Sequence, residues 1–283
     1  MSRNTPRRWL ITGVSTGLGR ALMRAALDRG DSVVGTLRDM SRKADIEALC
    51  PGRGFAIRLD MDDAARAAPA VEEAAALLGG GMDVVVNNAA FGIYGPVEAC
   101  TDEDFRRVLE TNFFGLLRVT RACLPHLRRS RGTLVNFSSI SGLVGHAGTA
   151  VYNVSKFAVE GLSAVLAEEL APFGVRVMVV NPDRFKSEFH ADRAQHLRHD
   201  RSGVYDHTPA GTVGQQLDAY VGSEPGDPEK LAAVVLSALD SDRPPLNLLV
   251  GPYGYVSVQA KIDRLRSDMD AWRAVSTATS FDP

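Results

Sequence analysis

The stretch "VYNVSK" sets Tyr152 and Lys156 four positions apart, and "NFSS" places Ser138 and Ser139 a little upstream. On a helix the tyrosine and the lysine project from one face, one turn apart. A phenol with an ordinary pKa of about 10 is a poor source of phenolate at neutral pH, and a neighbouring ammonium favours the charged form. Lowering that pKa by about two units takes about 2.7 kcal/mol of differential stabilisation. The pair therefore suits proton exchange with an oxygen on which charge develops, with a serine hydroxyl to orient that oxygen. A core tyrosine beside a solvated lysine is the ordinary alternative, so the reading depends on what surrounds the pair.

A second group is "TGVSTGLG", residues 12–19. Gly13 allows a sharp turn, Gly17 lets backbone approach a phosphate, and Gly19 lets a following helix pack closely on a sheet. The loop Gly13, Ser15, Thr16, Gly17, Leu18 and Gly19 is the expected pyrophosphate cradle, at a helix N-terminus whose free N–H groups attract anions. About twenty residues on, "VVGTLRD" carries Arg38 where NAD-binding sites commonly place an acid. A guanidinium can hold a 2′-phosphate bidentately, so Arg38 favours NADP(H) over NAD(H), with Asp39 as its rival.

These groups need a scaffold, and the apolar pattern supplies one. Nearly continuous apolar runs at 8–12, 32–37, 55–59, 83–87, 133–137, 175–180 and 246–250 read as strands covered on both faces. Helical patterns at 17–29, 63–78, 102–129, 153–172 and 229–240 separate them, and a last amphipathic helix over 254–273 packs outside with a possible partner surface. The expectation is an α/β, Rossmann-type doubly wound seven-stranded parallel sheet, with ligands at the strands' C-terminal edge. A single domain is expected: a dinucleotide-binding core over 7–186, an irregular substrate lid over 187–228, and a helix–strand–helix over 229–283.

The chain has 283 residues, 23% of them charged, and a net charge of −2, which gives no reason to expect nucleic acid or an anionic membrane as partner. Cys50, Cys100 and Cys123 form neither a disulfide framework nor a zinc pattern. No signal peptide and no apolar run of spanning length is seen, so a cytoplasmic location is expected. His196 and His199 lie three apart in the lid, but without cysteines or a fixed scaffold no metal is expected.

Taken together, "TGVSTGLG", "LDM" (59–61), "NNAA" (87–90), "TNFFG" (111–115), "NFSS" (136–139), "YNVSK" (152–156) and "NPDRFKS" (181–187) resemble the short-chain dehydrogenase/reductase family in order and spacing. The resemblance covers residues 7–190 well and continues more loosely to about 250. It implies that Asp60 receives the adenine amino group and that Met61 lies against the base. It places Asn87 and Ala89 along the cofactor cleft, and gives Asn112 a helix distortion to hold. Ser139, Tyr152 and Lys156 become the catalytic group with Asn112, Ser139 being chosen because it lies thirteen residues before the tyrosine. Tyr152 and Lys156 also touch the cofactor, Lys156 at the nicotinamide ribose, as do Pro182 and Ser187, the latter at a position usually held by Thr. Relatives commonly assemble as homodimers or homotetramers.

Two positions depart from the family pattern. Ala90 stands where the cleft motif usually ends in Gly, and Asp183 follows Pro182 where Gly is usual. Asp183 is expected to bind a polar or basic substrate group, or to favour the oxidised cofactor, with a solvated turn as the alternative. His146, between Ser139 and Tyr152, is a candidate specificity residue for the small-molecule substrate. The function implied is NAD(P)-dependent hydride transfer to a ketone or aldehyde, or from a secondary alcohol. The competing functions are a non-catalytic NAD(P)-binding sensor and an epimerase or dehydratase.

Overall fold

The computed structural model describes residues 5–190 and 196–281, so residues 191–195 of the expected lid lie outside the described residues. Seven strands form one parallel sheet in the order β3-β2-β1-β4-β5-β6-β7. They are β1 (Arg8–Ile11), β2 (Ser32–Leu37), β3 (Gly54–Arg58), β4 (Val84–Asn87), β5 (Thr133–Phe137), β6 (Arg176–Pro182) and β7 (Asn247–Val250). The order reverses between β1 and β4, which pair through Leu10 and Val85, and this crevice is where a doubly wound sheet binds its ligand.

The flanking helices are α1 (Gly17–Asp28), the short α2 (Lys43–Glu47), α3 (Ala67–Leu77), α4 (Asp102–Leu109), α5 (Leu116–Ser130) and α6 (Ala150–Leu170). They are followed by α7 (Val213–Tyr220), α8 (Pro228–Asp240) and α9 (Pro252–Ser276). Ile11, Val135 and Met178 pack beneath Met23 and Leu27 of α1 and Leu231 and Val235 of α8 on one face of the sheet. On the other face, Leu10, Val85 and Leu134 meet Val71 of α3, Val119 and Leu127 of α5, and Leu166 of α6. Alternate residues of one strand thus feed opposite layers, which is why the strands read as unbroken apolar runs.

Three expectations change. The helix expected over 102–129 is interrupted by a π-helical turn, Glu110–Gly115, between α4 and α5. Close packing accompanies it: a Cβ on Gly115 would sit 2.7 Å from the Met61 carbonyl oxygen. The stretch expected to be an irregular lid contains α7. Its Val213 and Leu217 are buried with Tyr94 against Tyr152, Phe189 and Leu197. Finally, α6 begins at Ala150 rather than 153, placing Tyr152 in its first turn.

Candidate active site

The C-terminal ends of β1, β4, β5 and β6 open into a cleft of about 950 Å³. Gly13, Ser15, Thr16, Gly17, Leu18, Arg38, Asp60, Met61 and Ala89 line its cofactor side. Ser139, His146, Tyr152, Lys156, Pro182, Asp183 and Ser187 line the rest. Gly13 and Gly17 have φ of +72° and +58°, in the left-handed region that glycine adopts without strain. A Cβ on Gly19 would lie 2.3 Å from the Gly13 carbonyl oxygen, so only glycine lets α1 begin this close to the loop. The N-cap residue Thr16 makes no side-chain cap hydrogen bond, leaving the first turn's N–H groups to face the cleft. The residues present fit a dinucleotide.

The end of β2 distinguishes the two residues weighed for the adenosine ribose. Asp39 accepts from the Ser41 backbone N–H at 2.9 Å and from the Ser41 hydroxyl at 2.8 Å. These bonds, helped by Arg42 and Arg38, hold its carboxyl below the ordinary range. Arg38 is exposed at the cleft edge. Arg42, not singled out in the sequence, joins the same wall, its guanidinium 3.5 Å from the Ser15 carbonyl oxygen. Its only sequence signal was a second arginine four residues after Arg38.

Lys156 is buried on α6, where its Nζ donates to the Phe137 carbonyl at 2.8 Å and lies 5.6 Å from the centre of the Tyr152 ring. Burial lowers its pKa to about 8, against a smaller opposing pull from Glu160 one turn further on. Glu160 is itself raised by burial, opposed by bonds from Ser138 and Asn181 and by the charges of Lys156 and Lys261. The Tyr152 ring is bounded by Tyr94 at 6.0 Å and Phe189 at 5.7 Å. Ser139 lies two residues beyond β5, its hydroxyl oxygen accepting from the Ser141 N–H at 3.2 Å. His146 is half-buried, its pKa lowered by desolvation, with its ring 6.5 Å from that of Tyr253. Among the described residues, no three His, Cys, Asp or Glu side chains gather where a metal could bind.

Three further expected site residues are held by hydrogen bonds within the fold. Asn112, expected in the catalytic group and to hold a helix distortion, is buried in that distortion, the π turn, with its amide hydrogen-bonded. Its Nδ2 donates to the Phe91 carbonyl at 2.8 Å and to the Ser155 hydroxyl at 3.0 Å, while its Oδ1 accepts from the Phe91 N–H at 3.0 Å. It braces α6 against the loop after β4 without reaching the cleft. Asn87, expected along the cleft, points inward. Its Nδ2 donates to Thr120 of α5 and to Asn136 of β5, both at 2.9 Å, and Asn136 donates on to Ser163 of α6 at 2.9 Å. Asn88 instead holds the cleft wall, donating to the Gly13 carbonyl at 2.9 Å.

Asp183 is the third. Its side chain forms part of the wall, but it is only 4% accessible and its carboxylate is aimed at backbone. Oδ1 accepts from the Arg184 N–H at 2.8 Å, and Oδ2 from the Tyr253 N–H at 2.9 Å, in the first turn of α9. A carboxylate suits a helix N-terminus, where donors are unpaired and the dipole is positive. The carboxylate thus caps α9 from within the cleft wall. Gly251 permits it: with φ +112°, a Cβ there would lie 2.4 Å from the Asp183 Cβ.

The lid is anchored independently. Arg198 donates through Nε to Asp104 Oδ2 at 3.0 Å, which, with the Thr101 capping bonds, lowers the Asp104 pKa. Tyr94 and Leu197 form an isolated parallel bridge beside this pair.

A glycine-lined cradle at the switch point of a doubly wound sheet is the architecture of a dinucleotide-binding protein. The comparisons agree: the family model "short chain dehydrogenase" matches residues 7–198. The chain is 34% identical over 274 residues to the Oxidoreductase BOA17 of Botryotinia fuckeliana, covering 96% of this chain and 98% of that protein. It is 33% identical over 250 residues to the 3-ketodihydrosphingosine reductase of Bacteroides thetaiotaomicron, covering 87% and 88%. A short-chain dehydrogenase structure from Streptomyces avermitilis superposes with a TM-score of 0.88 at 34% identity, covering 98% of this chain and 100% of that one. The chain belongs to the short-chain dehydrogenase/reductase family of NAD(P)-dependent oxidoreductases. No helix among the described residues is long and apolar enough to cross a membrane.

Proposed function

We propose that this protein interconverts an apolar ketone or aldehyde and the corresponding alcohol, with NADP(H) preferred over NAD(H). The observation that carries the reading is the placing of Tyr152 over Lys156 in the same cleft as the glycine loop and Arg38. The nicotinamide, when bound, supplies or accepts the hydride. Tyr152 gives its phenolic proton to the carbonyl oxygen during reduction and takes it back during oxidation. Lys156, held against the Phe137 carbonyl, favours the phenolate through its charge and reaches the nicotinamide ribose. Ser139 orients the substrate oxygen by a hydrogen bond that strengthens as charge builds there.

The substrate class follows from the walls. Phe91, Tyr94, Phe189, Val213 and Leu217 border the cleft on the lid side, which suits a hydrocarbon body better than a charged one. The name of the Bacteroides relative, a 3-ketodihydrosphingosine reductase, is consistent with a keto group on such a body. Arg38 and Arg42, with Asp39 committed to Ser41, support a 2′-phosphate on the adenosine ribose.

Fluorescence titration with NADPH and NADH tests the cofactor, and a screen of apolar ketones with NADPH tests the reaction. Arg38→Asp is expected to weaken NADPH binding about 10- to 100-fold, the worth of a charge-assisted bond. Equal affinity of the native protein for both cofactors would overturn the NADP(H) preference. NADPH binding with no turnover of any carbonyl, aldehyde or alcohol would overturn the catalytic reading.

A further inference from the structure

The C-terminal helix α9 runs 25 residues, yet among its described side chains only Gly254 is buried. Its first turns rest on the body: Gly254 meets Ile140, while Lys261 donates to the Leu143 carbonyl and lies 5.0 Å from the centre of the Phe157 ring. Beyond Lys261 every residue of the helix is exposed. That overhang is not uniformly polar. Ile262, Leu265, Met269 and Trp272 are 44%, 54%, 58% and 65% accessible. Between them stand Asp263, Arg264, Arg266, Ser267, Asp268 and Asp270, with Arg273 just beyond.

Tyr255, Val258, Ile262, Leu265, Met269 and Trp272 follow one another at intervals of 3, 4, 3, 4 and 3 residues. That is the a/d seam of a coiled coil, which closes when two such stripes face each other. The stripe lies beside the face by which the helix rests on its own body, sharing Val258 with it, and runs on past the point where that body ends.

We infer that the overhanging half of α9 is an interface between two copies of this chain, paired antiparallel about a two-fold axis near residues 263 and 264. The register follows from the spacing. Antiparallel pairing lays Ile262 against Leu265 of the other copy, Val258 against Met269, and Tyr255 against Trp272. Each contact occurs twice, as a two-fold interface requires. Charge selects the direction. Lys261 and Asp268 flank the seam on the same side, and antiparallel pairing sets each Lys261 beside the Asp268 of the other copy. Parallel pairing sets Lys261 beside Arg266, a repulsion, and Asp268 beside Arg273, an attraction, which offset each other, so only the antiparallel pair gains. The Leu143 carbonyl takes only one of the three Lys261 donors, leaving others for a carboxylate.

A lipid surface is the rival occupant. A helix lying on an anionic membrane is rich in cations on its polar face. Here Lys261, Arg264, Arg266 and Arg273 are nearly balanced by Asp263, Asp268 and Asp270, so a second copy is the better fit.

Sedimentation velocity of the full chain over a concentration series tests the interface, with NADPH binding as the check that each variant is folded. Leu265→Asp is expected to raise the dissociation constant of one association step at least tenfold while leaving turnover per chain unchanged. Asp268→Lys, which alters only the flank, is expected to weaken the same step about fivefold. Lys261→Asp/Asp268→Lys restores opposite charges in the antiparallel register and is expected to recover the native constant. Unchanged association in both Leu265→Asp and Asp268→Lys would overturn the inference. So would a native chain that stays monomeric and instead co-sediments with phosphatidylserine vesicles.

Discussion

Replacing Lys156 with Met should make the protein more stable and inactive at once. Burial lowers the lysine from 10.5 to about 8. The unfolded chain therefore keeps this proton up to pH 10.5, whereas the folded chain releases it above about 8. The penalty on folding is fully present below pH 8 and lifts as the pH rises from 8 to 10.5. At about 1.36 kcal/mol per pH unit it amounts to about 3 kcal/mol. Methionine has a similar reach and no charge, but it leaves the Phe137 carbonyl without a donor, costing about 1–2 kcal/mol. The variant should be more stable than the native chain by about 1–2 kcal/mol at pH 7 and less stable by a similar amount near pH 11. Urea unfolding of both proteins without cofactor, from pH 6.5 to 11, gives that difference with the other titrating groups cancelled. A variant less stable at pH 7, with a gap that does not move with pH, would refute the reasoning. Turnover should fall at least about 10²-fold.

Tyr152→Phe keeps the ring between Tyr94 and Phe189 and should cut kcat by about 10²- to 10⁴-fold with NADPH affinity unchanged in titration. Asp183→Gly uncaps α9 and should lower stability by about 1 kcal/mol in urea, with KM rising more than kcat falls because Tyr253 is displaced. Asp104, held below its ordinary pKa chiefly by Arg198, supports the lid above the ordinary carboxylate range and loses that support as the pH falls through its lowered value. Proteolysis of the lid between pH 6 and 3 should accordingly accelerate on acidification in the native chain, and be fast throughout in Arg198→Ala.

The central strands were legible because they are buried on both faces and so spell nearly unbroken apolar runs, and the partly exposed edge strands β3 and β7 are still mostly apolar. The glycine loop was legible because close approach leaves no residue but glycine at positions 13 and 19. The π turn at 110–115 was legible only through the resemblance, which implied a helix distortion at Asn112; the apolar pattern does not show it, since the residues that accompany it, Phe91, Ser155 and Met61, are distant in the chain. The lid helix α7 was missed because its apolar face is only Val213 and Leu217, too short for a period to show. Asp183 was recognised as unusual, but its partner Tyr253 lies 70 residues away across a strand pairing that sequence alone does not reveal. Asn87 and Asn88 are adjacent and chemically identical, and only the pleat of β4 decides which faces the cleft.

That pleat has a consequence for descent. Thr120, Asn87, Asn136 and Ser163 form a chain of amide and hydroxyl groups across α5, two strands and α6: Asn87 donates to both Thr120 and Asn136, and Asn136 donates on to Ser163. A substitution at any one strands its neighbour in a site closed to water, whereas replacing the whole set with matched apolar groups strands nothing. Single steps are thus blocked where the joint change is open. Among the descendants of this chain, the four positions should be inherited as a block, kept together or exchanged together.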